Sequence, residues 1–208
     1  MTLTVAGRAR DELAEFVARV VQLDPLVNVL VRAEGERVAV WARTPFEVFA
    51  WHAAPGSMRG PGVTVAAREL LAGLAVGRSD EVEPGLPALG DWPAALPVEW
   101  TPAGRVVTSE LDGLVARGLA DAKEHGDHPP PELLDRPVLA VEPDPEATGE
   151  ASTGRGGLVR VPMRCLFALS GLGIVGDAEL SVADGWARLA TSDGAVVFRR
   201  RALLPLAL

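Results

Sequence analysis

The sequence predicts an α+β protein in which antiparallel sheet carries helices packed on one face, and three observations support that class. Short runs rich in Val, Leu and Trp alternate with segments whose apolar residues recur at i, i+3, i+4 and i+7. These are the two periods that distinguish a strand from a helix. Turns that contain glycine, Glu34-Gly35-Glu36 and Ser192-Asp193-Gly194, join neighbouring apolar runs closely enough for hairpins, which connect antiparallel strands. A strand followed at once by a helix recurs with openings at Leu3, Val63, Arg105 and Leu158. A spacing of roughly 50 residues is the signature of repeated architecture, so duplicated strand-helix-strands units are expected.

Taken in order, residues 10–22 form the first helix, with Leu13, Phe16, Val17, Val20 and Val21 on one face. Asp11-Glu12 supplies negative charge for its N-terminus, and Asp24-Pro25 stops it. Residues 26–32, 37–43 and 46–53 follow as three strands. Trp41, Phe46, Phe49 and Trp51 in this stretch admit two readings, a stacking platform for bases or sugars and ordinary packing, and strand aromatics favour packing. After a loop at 55–61, Val63-Thr64-Val65 leads into a helix carrying Leu70, Leu71 and Leu74 on one side.

Between Gly77 and Gly104 the composition shifts to Pro, Gly and acidic residues around Asp91-Trp92 and Glu99-Trp100. Residues 91–104 are the natural connector between an N-terminal α+β half, 1–90, and a C-terminal α+β half, 105–208, with one compact body as the other arrangement. A free tether seldom carries tryptophan, so the Trp residues should pin the connector to the body.

The third helix starts at Ser109 as N-cap, bears Leu111, Leu114, Val115 and Leu119, and ends near Gly126. Its outward residues Glu110, Asp112, Asp121 and Glu124 outweigh Arg117 and Lys123. A Glu132-Leu133-Leu134 turn and a strand at 137–141 follow, and 143–157, poor in apolar residues, is expected to be a mobile surface loop. The chain closes with a strand at 158–162, a helix at 163–172 with Met163, Leu166, Phe167 and Ser170 on one face, and two strands within 178–201 around Ser192-Asp193-Gly194.

Charge and composition narrow the function. With 208 residues, 48% of them hydrophobic, the chain can bury a core as one domain or two small ones. A net charge of −8 repels polyanions, so nucleic acid is disfavoured as a partner unless a local basic patch exists. The run Arg199-Arg200-Arg201 is the strongest basic stretch; in a strand its side chains alternate between faces, and a solvated sheet edge that discourages aggregation is its expected role. The single cysteine, Cys165, rules out a disulfide within the chain and reads as a buried thiol in a reducing cytoplasm. No export signal and no apolar run of about 18 residues is present, so no membrane partner is expected.

Gly171-Leu172-Gly173-Ile174-Val175-Gly176 fits the dinucleotide pattern G-x-G-x-x-G, which needs a strand before it and a helix starting inside it. Here the preceding residues have helical spacing and the following ones read as a hairpin, so the motif is a glycine-rich helix exit. His125 and His128 lack a third clustered ligand to complete a tetrahedral metal site, and His52, at a strand end, reads as packed or surface. No catalytic, cofactor-binding or metal-ligating residue is therefore assigned, no cofactor is expected, and the balance leans away from an enzyme.

Val63-Thr64-Val65-Ala66-Ala67-Arg68-Glu69-Leu70-Leu71, and Val159-Arg160-Val161-Pro162-Met163-Arg164 with the strands after it, resemble the strand-helix-strands units of bacterial DNA sliding clamps. The N-terminal order of strand, helix and antiparallel strands through Ala53 is similar too, and Asp91-Trp92 looks like the region after a clamp's first domain. The chain also resembles uncharacterised proteins of GC-rich Gram-positive bacteria. The clamp resemblance covers most of the chain and implies a clamp-like fold. A clamp encircles DNA with a ring of six such domains lined by basic helices; this chain has room for two at most, and its helices are neutral to acidic outward. The expected function is a non-catalytic protein-interaction module that binds another protein, with oligomerisation left open. A DNA-associated clamp-like protein is the first alternative, and a small-ligand binder or an enzyme, with a cleft near Trp51, His52 or Trp186, is the second.

Overall fold

The computed structural model describes residues 2–76, 79–124, 131–141 and 158–200, without the side chains of residues 108, 109, 112, 119 and 121–124. His125, His128, the 143–157 loop, Arg201 and the capping side chain of Ser109 lie outside the described residues.

The N-terminal part contains β1 (Leu3–Thr4), α1 (Gly7–Leu23), a meander of β2 (Asn28–Glu34), β3 (Arg37–Arg43) and β4 (Phe49–Pro55), then β5 (Ser57–Met58), β6 (Val63–Ala66), α2 (Ala67–Val76) and β7 (Glu81–Val82). The C-terminal part contains β8 (Thr101–Val106), α3 (Thr108–Glu124), α4 (Pro131–Asp135), β9 (Pro137–Val141), β10 (Val159–Pro162) and α5 (Met163–Gly171). A second meander of β11 (Ala178–Ala183), β12 (Trp186–Thr191) and β13 (Gly194–Arg199) follows.

Eight strands form one antiparallel sheet in the order β6-β2-β3-β4-β13-β12-β11-β8, and two small sheets have the orders β5-β1-β7 and β10-β9. The order of the large sheet is palindromic. Outward from the central pair β4 and β13, each side shows a three-strand meander and then one outlying strand that runs into a helix, β6 into α2 and β8 into α3. A short strand precedes the helix of each meander, β1 before α1 and β10 before α5. The expected duplication is thus present, with its modules in opposite order along the two parts of the chain. Trp51 opposite Ala195, Ala50 opposite Val196 and Phe49 opposite Val197 set the register of the joint.

Helices cover one face of this sheet. Leu13, Phe16, Val17 and Val20 of α1, Leu70 and Leu74 of α2, and Met163, Leu166 and Phe167 of α5 are buried there with Val29, Val31, Val40, Leu180, Leu189 and Val196. Their removal from water is the main stabilising contribution. Gly118 lets α3 approach α5 closely, because a Cβ at that position would overlap the Met163 sulfur. Among the described residues no helix is long and apolar enough to cross a membrane.

The other face holds a smaller cluster of Trp41, Phe49, Ala53, Leu96, Trp186 and Val197, with Trp51, Trp92 and Trp100 packed around it. The connector lies over this cluster as a strap. It starts on the edge strand β6, where Val65 bridges Pro87 and the Ala88 amide donates to the Thr64 carbonyl at 2.8 Å. Trp92 Nε1 donates to Thr64 Oγ1 at 2.9 Å. Arg43 and Arg32 then donate to the carbonyls of Asp91 and Pro97, and Trp100 stacks on the Arg188 guanidinium at 4.7 Å. The tryptophans pin the connector as their size predicted.

Several local expectations change. The first helix starts at Gly7, so Asp11 and Glu12 fall in its second turn, and Glu12 answers Arg8 at 2.8 Å instead of the helix end. Residues 178–201 supply three strands and not two, because Asp184-Gly185, with Gly185 at φ 70°, forms a second tight turn. Ser170 is exposed at the end of α5. Thr101 to Gly104 belong to β8, whose place at the sheet edge tolerates Pro102. Arg199 lies in β13 at the centre of the sheet, so it does not guard an edge. Residues 165–169 are helical and a strand follows at Ala178, which leaves the glycine motif as a helix exit.

Candidate interaction site

A cavity of about 430 Å³ opens where the first turn of α5, β10, the end of β13 and the loop before β4 meet. Four arginines line it: Arg160 and Arg164 from the β10–α5 joint, and Arg199 and Arg200 from the end of β13. Val48, Leu158 and Phe198 add an apolar floor. Two carboxylates, Glu47 and Asp135, complete the charges.

Arg164 is the internal anchor. Its Nη1 donates to Glu47 Oε2 and its Nη2 to Asp135 Oδ1, each at 2.6 Å, and Nη1 also donates to the Phe46 carbonyl at 3.3 Å. The side chain is 12% exposed. Burial alone would lower its pKa, but the bonds and charges from Glu47 and Asp135 outweigh burial and raise it above the ordinary arginine value. Its Nε has no hydrogen-bond partner. Glu47 is held at φ 60°, a left-handed conformation that side chains seldom adopt, within a turn closed by the Thr44 amide donating to the Val48 carbonyl. Such local strain gathers at functional sites.

The remaining cations are disposed differently. Arg160 is exposed and has no ion-pair partner among the described residues. Arg199 lies over the Trp186 ring at 4.6 Å from its centroid, and the Arg200 amide donates to the Gly185 carbonyl. An apolar floor under a rim of guanidinium groups suits a segment carrying both apolar and acidic side chains.

Other residues singled out by sequence are placed as follows. Trp41 and Phe49 pack in the outer cluster, whereas Phe46 faces the helices and meets Phe167 at 6.0 Å. Cys165 is fully buried, and burial pushes its thiol pKa well up, so it is a packing residue and no nucleophile. His52 is buried and stacked on Phe16 with centroids 5.4 Å apart. Its pKa is lowered, chiefly by burial, against the raising effect of Glu12 and with Arg37 and Arg19 adding to the lowering. The unfolded chain therefore binds the His52 proton more readily, and this contribution to stability is complete above the ordinary value of 6.5 and lost as pH falls below it. Denaturant titrations from pH 8 to pH 5 should show a decline that His52→Gln flattens; an unchanged slope in the variant would assign the decline elsewhere.

The outward faces of the helices are not basic. Arg8, Arg19, Arg68 and Arg117 are offset by Asp11, Glu12, Glu15, Glu69 and Glu110 among the described side chains of α1, α2 and α3. The arginine cavity escaped sequence reading because its cations come from two separate stretches, the pair Arg160 and Arg164 flanking a strand-to-helix joint and the basic run that holds Arg199 and Arg200, which only the fold brings together.

Comparison with known structures shows a sliding-clamp fold. The DNA polymerase sliding clamp from Caulobacter crescentus matches with a TM-score of 0.56 and 20% identity over 96% of this chain and 65% of that one. The DNA polymerase III subunit beta from Pseudomonas aeruginosa gives 0.58 and 19% over 97% and 65%. A putative DNA polymerase III beta subunit from Eubacterium rectale gives 0.58 and 12% over 97% and 64%. The chain thus spans about 65% of the length of these clamps. No curated protein matches the sequence. Residues 1–94 match the family described as Domain of unknown function (DUF8010). Because residues 97–203, just over half of the sequence, match the family described as Domain of unknown function (DUF8185), the chain belongs to that family.

Proposed function

We propose that this protein is a non-catalytic interaction module of clamp-like fold that seats a segment of another protein in the arginine-lined cavity. The observation that carries this reading is the convergence of Arg160, Arg164, Arg199 and Arg200 over an apolar floor, in a cavity large enough for two or three side chains. Arg160 offers a charge that the described residues leave unpaired, which is what a partner's carboxylate requires. We read residues 1–90 and 105–208 as two half-units that share one sheet and complete each other's core across β4 and β13.

Arg160→Glu tests the seat without touching the core. Wild-type protein immobilised in extract of its own cells should retain a discrete partner, and the variant should lose at least about tenfold of it, since one reversed charge at a contact costs more than about 1.4 kcal/mol. Equal retention by both proteins, at matched melting temperatures, would remove the cavity from the reading.

The likeness to proteins described as DNA polymerase clamps favours a DNA-associated role as the second reading. The mixed charge of the helix faces and the net charge of −8 weigh against direct contact with a polyanion. No mobility shift with duplex DNA is expected at 50 mM salt, and a salt-sensitive shift there would promote the second reading over the first.

A further inference from the structure

Of the two carboxylates in the arginine-lined cavity, one is held loosely and at a cost. The Glu47 side chain is 79% exposed, although its Oε2 meets Arg164 Nη1 at 2.6 Å. An ion pair so open to water contributes little to stability. The Glu47 backbone, at φ 60°, occupies the left-handed region that a turn between strands normally gives to Gly or Asn. Among the described residues no other side chain is carried on a positive φ.

Neither the turn nor Arg164 needs that carboxylate. The Thr44 amide and hydroxyl both donate to the Val48 carbonyl at 2.9 Å, and the Glu47 amide donates to the Thr44 carbonyl at 3.1 Å, so the loop closes without the Glu47 side chain. On the inner side Arg164 Nη2 donates to Asp135 Oδ1 at 2.6 Å, and this aspartate is only 30% exposed. The Phe46 carbonyl also accepts from Nη1. With Glu47 withdrawn, the guanidinium would keep a carboxylate and a carbonyl, and Nη1 would have a donor to offer inside the cavity that both residues line.

We propose that Glu47 is an internal stand-in for the ligand: it occupies Arg164 Nη1 until an acidic side chain of an incoming segment displaces it. This rests on the reading of the cavity as a seat for a partner's segment, and adds how that seat is regulated. Exchange replaces one carboxylate by another on the same guanidinium, so no charge is left buried without a partner. Arg160, which lines the same cavity and has no ion-pair partner among the described residues, adds attraction for the newcomer. Segments without an acidic group are rejected, because they would break the Glu47 pair and put nothing in its place.

The test uses the full chain and pools of fluorescently labelled peptides, randomised among uncharged residues around a fixed centre of leucine, glutamate and leucine. Matching pools carry glutamine at the centre, and binding is followed by anisotropy at 50 mM salt. Wild-type protein should bind the glutamate pool saturably and the glutamine pool more weakly. Glu47→Gln and Glu47→Gly, which remove the internal competitor, should each gain at least about threefold in affinity for the glutamate pool and less than about twofold for the glutamine pool. Glu36→Gln, which removes the same charge from an exposed turn elsewhere, should change either affinity by less than about twofold. Unchanged or weaker binding of the glutamate pool by both Glu47 variants would overturn the exchange, and the seat itself would still stand if Arg160→Glu lowers that binding. Equal gains for the two pools would overturn it too, since Glu47 would then be a cover and not a substitute carboxylate. No saturable binding of either pool, by wild type or variant, would overturn the exchange together with the seat.

Discussion

Trp41→Ala should lower the unfolding free energy by about 3–5 kcal/mol, the cost of emptying a large aromatic site that its surroundings cannot refill. Trp41 is fully buried under the strap, with the Phe49 and Trp51 rings each 6.3 Å away. Its indole Nε1 donates to Glu34 Oε1 at 3.0 Å, and the Arg32 guanidinium lies over its ring at 5.1 Å while pairing with the same carboxylate at 2.6 Å. Alanine thus opens a cavity and takes one donor from a glutamate whose side chain is only 7% exposed. Trp41→Phe keeps much of the volume and should lose less than half as much. Urea unfolding followed by far-ultraviolet circular dichroism measures both. A loss below about 1 kcal/mol in the alanine variant would show that the strap and its cluster contribute little to the folded state.

Arg10→Met is the second large effect, about 3 kcal/mol, because it removes a buried charge together with the hydrogen bonds that hold the end of α2. Arg10 is 9% exposed and donates to the carbonyls of Leu74 at 2.6 Å, Ser79 at 2.7 Å and Gly73 at 3.0 Å. No carboxylate is among these acceptors. The unpaired carbonyls of a helix C-terminus and their partial negative charge satisfy the guanidinium, and the guanidinium satisfies them. Methionine fills similar space but leaves those carbonyls without a donor. Arg10→Lys keeps the charge and loses the planar fork, so it should recover less than half of the loss. Chemical denaturation of the three proteins gives the order; a lysine variant equal to wild type would mean that charge alone suffices.

Arg10 also shows where sequence reading stops. The position lies on the apolar stripe with Leu13, Val17 and Val20, so an arginine there was a visible anomaly, but its acceptors lie more than 60 residues away. Helices and meanders were legible because their periods and glycine turns are local properties of the chain. Strand order was not, since it depends on which edges meet, and Arg199 was accordingly assigned to an edge although β13 is central. The turn at Asp184-Gly185 was legible as a glycine turn before the run that begins at Trp186, but the short run ahead of it, Ala178–Ala183, did not stand out as a strand of its own. The arginine-lined cavity was illegible because it joins Glu47 and Val48, before β4, to residues between Asp135 and Arg200, a meeting that only the β4 and β13 joint creates.

The strap over β6 gives a symmetric sheet two unequal flanks. On that flank the hydrogen-bonding groups of Thr64 and Val65 are already engaged by residues 87 and 88, whereas β8 on the far flank is bonded only to β11 among the described residues. A body that can be joined on a single side makes pairs and not chains, because the first union uses up its open border. Head-to-tail growth through sheet edges needs a donor flank and an acceptor flank on every copy, and among the described residues only the β8 flank is left for such pairing.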